Sequence, residues 1–230
     1  MRIGGFQKIS LIDYPGKISA VVFTQGCNFR CPFCHNAHLV LPSLFRESLS
    51  EEEIIGFLAS RTGRLQGVVI TGGEPTLQND LKDFIKKIKV MGYAVKLDTN
   101  GSRPFILEEL IRQKLVDFVA MDVKAPIERY REVSGVNVNP DFIKKSIELL
   151  INSGLQYQFR TTFTKPLLNE VDLSGIMSLI GQGAKNFCLQ PFVPQESILD
   201  DTLLDKAQYQ DEEFNLLRKC CEETIEALAG

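Results

Sequence analysis

Six short, almost wholly apolar runs, spaced by amphipathic stretches, constrain this 230-residue chain more than any other feature. "KISAVVFTQ" (17–25), "GVVIT" (67–71), "YAVKLDT" (93–99), "VDFVAMDV" (116–123), "LQYQFRTTF" (155–163) and "KNFCLQPF" (185–192) each read as a strand. Between them, "SEEEIIGFLASR" (50–61) reads as a helix with Ser50 and Glu53 as a capping box. "NDLKDFIKKIKVMG" (79–92), "PFILEELIRQK" (104–114) and segments near 141–152 and 170–181 read as further helices. A last helix, "DEEFNLLRKCCEETIEALA" (211–229), lies within the tail at about 207–229. Strands that are apolar on both faces need covering on both faces, and their alternation with helices predicts a parallel sheet coated by helices. Six β/α units fit the length, whereas a closed eight-fold barrel usually takes about 250 residues. The expectation is one α/β domain over 1–230, with a core at about 10–200 and a surface loop at Gly135–Pro140.

In parallel α/β folds, functional residues gather where strands end. Here unusual sequence follows strand after strand: a cysteine loop at 26–38, then "TGGEPT" (71–76), "LDTNG" (97–101) and "MDVKAP" (121–126). Arg160 lies in the fifth strand, and the sixth ends in "LQPF" (189–192). All of this falls on one side of the sheet, which predicts a single site. A formal charge of −3 argues against nucleic acid or an anionic membrane as partner. No apolar run nears the ~20 residues of a membrane span, and the N-terminus carries no signal-peptide pattern. The expected compartment is the cytoplasm, where thiols stay reduced and clustered cysteines mean metal or catalysis.

"GCNFRCPFCHNAH" (26–38) holds three of the six cysteines and both histidines. Four readings compete for Cys27, Cys31 and Cys34. Cys31-Pro-Phe-Cys34-His35 matches a haem-attachment pattern, which leaves Cys27 without a role. Three thiolates with His35 or His38 make a zinc set, although zinc sites usually draw on two separated pairs. A C-x-x-C dithiol normally sits at a helix N-terminus, and none is evident here. Three thiolates also suit a [4Fe–4S] cube with one iron left open for substrate. Only this last reading connects the cysteines to the rest of the face.

"CNFRCPFC" resembles the C-x3-C-x-aromatic-C signature of radical S-adenosylmethionine (SAM) enzymes, and "GGEPT" resembles their motif for the SAM amino group. The resemblance implies a partial (β/α)6 TIM-like barrel. It implies a [4Fe–4S] cluster on Cys27, Cys31 and Cys34, with Phe33 near the adenine and Gly72, Gly73 and Glu74 at the amino group. In physical terms, Gly72 and Gly73 permit close backbone approach to a ligand, and Glu74 accepts from an amine. The ordinary reading of "TGGEP" is a plain βα turn.

"DTNG" and "MDVK" narrow the resemblance to the activating enzymes of glycyl-radical enzymes. There Asp98, Thr99 and Asp122 would surround the SAM methionine end, with a monovalent cation allowed beside them. Lys124 would meet its carboxylate or ribose, and Arg160 matches a SAM-contacting arginine. The bland alternative makes Asp122 and Lys124 a local ion pair. "SLIDYPGK" (10–17) and "CHN" (34–36) resemble the activating protein of anaerobic, class III ribonucleotide reductase in its longer form, although a Pro-Gly turn is the ordinary reading of "DYPG". Pro191-Phe192-Val193 lacks the histidine that activases of pyruvate formate-lyase carry near the sixth strand. The function implied is reductive SAM cleavage and a glycyl radical on a partner enzyme, with flavodoxin or ferredoxin as electron donor. Rival readings are a radical SAM enzyme for a small molecule or peptide, an activase of another glycyl-radical enzyme such as pyruvate formate-lyase, and a zinc-holding adaptor. Of the remaining thiols, Cys188 reads as core, and Cys220 and Cys221 point about 100° apart on the last helix. His38 reads as a surface residue.

Overall fold

The computed structural model describes residues 1–194, 198–206 and 208–229. Seven strands form one sheet in strict chain order: β1 (Ile3–Ser10), β2 (Ser19–Thr24), β3 (Gly67–Gly72), β4 (Ala94–Thr99), β5 (Phe118–Asp122), β6 (Gln156–Phe163) and β7 (Phe187–Pro191). β2 to β7 are the six expected strands, and every neighbouring pair among them is parallel. The helices are α1 (Ala37–Val40), α2 (Glu51–Ser60), α3 (Leu81–Val90), α4 (Pro104–Arg112), α5 (Tyr130–Ser134), α6 (Pro140–Asn152), α7 (Glu170–Ile180) and α8 (Asp211–Ala229). Among the described residues no helix is long and apolar enough to cross a membrane.

Two expectations change. β1 was not foreseen; it pairs antiparallel to β2, with irregular register at Gly5 and after Gln7. Its sequence, IGGFQKIS, carries two glycines and a half-exposed pattern, so no clean alternation marks it. At α2 only half of the capping box forms: Ser50 Oγ accepts from Glu53 N at 3.2 Å, and the same hydroxyl donates to Glu52 at 3.0 Å. The full reciprocal box lies at α7, between Asn169 and Asp172. The last helix, Asp211–Ala229, has the bounds expected from the sequence.

Side chains alternate across each strand, so the sheet has two apolar layers. One is the main core, where β-strand residues such as Val22, Ile70, Leu97 and Phe159 meet the helices. The other is a small separate cluster of Tyr14, Val21, Val69, Phe118 and Ala120, on the opposite face of the same strands. That second cluster is the inside of a curled sheet, and Tyr14 forms its floor. The Tyr14 ring lies 6.0 Å from Phe118, and so close to Gly67 that a β-carbon there would come within 2.9 Å of it. Above this floor, on the same face, the strands end in a cavity.

Candidate active site

The cavity holds about 690 Å³ and is lined from both ends of the sheet: the loop after β2, the ends of β3 to β6, and β7. A flat sheet cannot bring its first and last parallel strands to one cavity, so the sheet is a partly closed barrel. The volume suits a single cofactor-sized ligand. Of the sequence-predicted residues, Cys27, Cys31, Cys34, Phe33, Gly72, Gly73, Asp98, Thr99, Asp122, Lys124 and Arg160 all line it.

One wall carries the thiols. The loop from Cys27 to Cys34 is pinned on several sides. Arg30 N donates to Ser134 O at 2.8 Å, and the Arg30 guanidinium turns back onto the carbonyls of Cys27 and Phe29, each at 2.7 Å. From the chain beyond β7, Leu199 N donates to Cys34 O and Asp200 N to Pro32 O, both at 2.9 Å. His35 stacks on Phe192 with centroids 5.2 Å apart and reaches Val193 O at 3.0 Å. These contacts bridge the open side of the barrel. Burial pushes the Cys27 thiol up to about 12, with the Glu74 carboxylate adding to it. Burial likewise raises Cys31 to about 11, against the opposing pull of Lys124. Unmetallated, both are therefore neutral thiols at pH 7.

The opposite wall is a ladder of alternating charge. Lys96 Nζ donates to Asp98 Oδ1, and Arg160 Nη1 lies 3.4 Å from Asp98 Oδ2. Arg160 Nε donates to Asp122 Oδ1 at 2.9 Å, and Lys124 Nζ to Asp122 Oδ2 at 3.0 Å. Burial alone would raise the Asp122 carboxyl, but Arg160 and Lys124 outweigh it and hold it at about 2. Burial would lower Lys124 and Arg160, yet Asp122 keeps both above their usual values. Asp122 and Lys124 are thus both an ion pair and part of the cavity wall. Lys124 Nζ also lies 5.8 Å over the Phe33 ring, joining the two walls.

Two site expectations are revised. Glu74 does not line the cavity. It is fully buried, and its Oε1 accepts from Thr76 N at 3.0 Å, Thr76 Oγ1 and Thr99 Oγ1 at 2.8 Å. Its Oε2 accepts from Asn100 N at 2.7 Å. The carboxylate ties the loop after β3 to the loop after β4. The neighbouring chain by itself already requires glycine at 72 and 73, which both line the cavity. A β-carbon on Gly73 would sit 2.1 Å from Gly26 O, and one on Gly72 2.4 Å from Thr24 N. Cys188 is half-buried and lines the cavity instead of the core, because it is level with Arg160 in the β6–β7 register. His38 is exposed, as expected; of the vicinal pair, Cys220 is exposed and Cys221 packs into the main core.

Sequence reasoning missed Lys96, Asn28 and Asn100. A lysine in an otherwise apolar strand, two residues before Asp98 and so on its face, was the available signal for the first. Replacing Glu74 by glutamine puts an NH2 group against one of four donors. The expected loss is about 2 kcal/mol. For a chain of this size that is a thermal midpoint lower by roughly 4–8 °C, read by calorimetry.

The donor chemistry fits an iron–sulfur cluster. Three soft thiols come from one short loop, and they face a wall with both anionic and cationic groups able to hold a zwitterion. Among the described residues no three His, Cys, Asp or Glu side chains crowd round one point as a single-ion site would require. The family model described as the radical SAM superfamily matches residues 21–179. A putative glycyl-radical enzyme activating enzyme of Methanocaldococcus jannaschii is 36% identical over 203 residues, covering 85% of this chain and 81% of that protein. The pyruvate formate-lyase-activating enzyme of Clostridium pasteurianum is 30% identical over 188 residues, covering 78% and 77%. Among solved structures, Streptococcus suis SuiB bound to S-adenosylmethionine matches with a TM-score of 0.69 at 17% identity. That match covers 90% of this chain and 47% of SuiB, so this chain spans about half of the SuiB chain.

Proposed function

The chain belongs to the radical SAM superfamily, enzymes that use a [4Fe–4S] cluster and SAM, and from that premise we propose that it is an activating enzyme for a glycyl-radical enzyme, class III ribonucleotide reductase. The observation that carries the reading is the placement of three thiols and the charge ladder on facing walls of one cavity. Cys27, Cys31 and Cys34 would hold the cluster. When bound, cluster and SAM together supply a one-electron cleavage of the sulfonium to methionine and a 5′-deoxyadenosyl fragment that takes a hydrogen atom from a glycine Cα of the partner.

The chain's own residues bind, orient and shield. Lys124 offers two further N–H donors beyond its bond to Asp122, and these suit a carboxylate. Asp98 and Asp122, each held by two cations, present fixed anionic edges to an ammonium or sulfonium group. Phe33, buried between the last two thiols, offers an apolar face to adenine. Phe29 and Leu189 line the cavity with apolar surface that excludes water. Every charged member of the ladder has a partner before any ligand arrives, so little reorganisation is needed on binding. Electrons would come from flavodoxin or ferredoxin. The whole chain acts as one domain in this reading, with α8 packed against α7 and the segment Gly181–Asn186 before β7.

"SLIDYPGK", "CHN" and the missing histidine at 191–193 favour the ribonucleotide reductase as partner. The 30% identity to a pyruvate formate-lyase-activating enzyme supports that lyase as the second candidate. One experiment tests both. The protein is reconstituted anaerobically with iron and sulfide, reduced, and given SAM with either partner. Deoxyadenosine is quantified by chromatography and the glycyl radical by EPR. A doublet that appears only with the reductase is the expected result, and one only with the lyase reassigns the partner. A colourless, zinc-loaded protein that never cleaves SAM overturns the reading.

A further inference from the structure

Asn28 sits between the first two cysteines, is exposed, and has no role in the chemistry above. Its side chain nevertheless leaves its own loop. Asn28 Oδ1 accepts from Asn100 Nδ2 at 3.0 Å, and Asn28 Nδ2 donates to Ser102 Oγ at 2.8 Å. Asn100 is fixed in turn. Its Oδ1 accepts from Ser102 N at 3.0 Å and from Ser102 Oγ at 2.6 Å, and its backbone N–H donates to Glu74 Oε2 at 2.7 Å. Glu74 then grips Thr76 and Thr99. One continuous chain of hydrogen bonds therefore runs from the thiol loop, through the loop after β4, to the loop after β3.

Every member beyond Asn28 is buried. Asn28 is the only described side chain of the thiol loop that enters this web, and its amide matches both neighbours in one orientation only: acceptor to Asn100, donor to Ser102. Asn100 and Thr99 themselves line the cavity.

We propose that Asn28 is a positioning residue that couples the thiol loop to the two ligand-facing loops, so that holding the cluster sets the geometry in which SAM is received. The inference rests on the SAM reading above for its second half only. The first half, that Asn28 orders the neighbouring loops, stands on the hydrogen bonds alone.

The test compares wild type with Asn28→Ala and Asn28→Asp, using cluster-loaded protein. Asn28→Ala removes both bonds; Asn28→Asp keeps the acceptor and loses the donor. Because Asn28 is exposed, both variants should keep their thermal midpoint to within about 2 °C and their iron content unchanged. Amide hydrogen exchange over 99–102 and 73–76 should quicken about tenfold in Asn28→Ala, with the rest of the chain unaffected. SAM retention by equilibrium dialysis should weaken by a similar factor, with Asn28→Asp between the two. Unchanged exchange in those two segments overturns the proposal. So does uniformly faster exchange with a lowered midpoint, which would give Asn28 a merely structural part. Wild type that retains no SAM would sink the functional reading instead, while the exchange pattern would still decide whether Asn28 orders the loops.

Discussion

Cys31→Ala is expected to give a folded, colourless protein that cleaves no SAM. Cys31 is buried and packs with Phe29 and Phe33 in the main core, so trimming its sulfur costs only about 1 kcal/mol of stability. The chemical loss is total, because a cube that leaves one iron open has only three protein ligands, and two thiolates cannot replace three. Iron and sulfide per chain, the visible chromophore and deoxyadenosine yield check the result together. Cys188→Ala is the informative control, since Cys188 lines the same cavity. If Cys31→Ala keeps its chromophore while Cys188→Ala loses it, the ligand set is wrong.

Tyr14→Ala should be the most destabilising single change outside the site. The ring is almost fully buried and closes the barrel floor against Phe118 and Gly67, in a cluster of only five buried residues. No nearby helix can shift to fill the space, because the floor is walled by strands whose register is fixed by pairing. Such large-to-small changes typically cost about 3–5 kcal/mol. The thermal midpoint should fall by roughly 6–20 °C for a chain of this length. Tyr14→Phe keeps the ring and should lose little. A loss of under 1 kcal/mol in Tyr14→Ala would mean that the floor is not a packed core.

Tyr14 also marks the limit of what the sequence reveals. "DYPG" reads locally as a Pro-Gly turn, and a turn is what the backbone makes: Lys17 N donates to Tyr14 O at 3.1 Å. Nothing local says that the ring then swings under β2, β3 and β5. The six parallel strands were legible because burial on both faces leaves continuous apolar runs, as at Val21, Val22, Val68, Val69 and Ile70. β1 was not, because a half-exposed edge strand with two glycines has neither run nor alternation. At the site, strand ends identified the cavity wall. The sequence could not say which way these side chains turn: Glu74, in a loop, turned inward to four donors, and Cys188, in β7, turned out of the core because of its register with Arg160. Lys96 was visible as a charge in an apolar strand, but its partner lay two residues on along the same strand.

The strands stand in the sheet in the order in which they are made. During synthesis each new strand can therefore dock on a neighbour already present, and no gap must be held open for a later one. The exception is the thiol loop. It emerges with β2, yet the segment that clamps it, Leu199 and Asp200 onto Cys34 and Pro32, leaves the ribosome roughly 10–30 s later at about 5–20 residues per second. For that interval the three cysteines are made but lack the clamp from beyond β7, so the nascent chain offers them to iron, or to oxygen, before the barrel can shelter them.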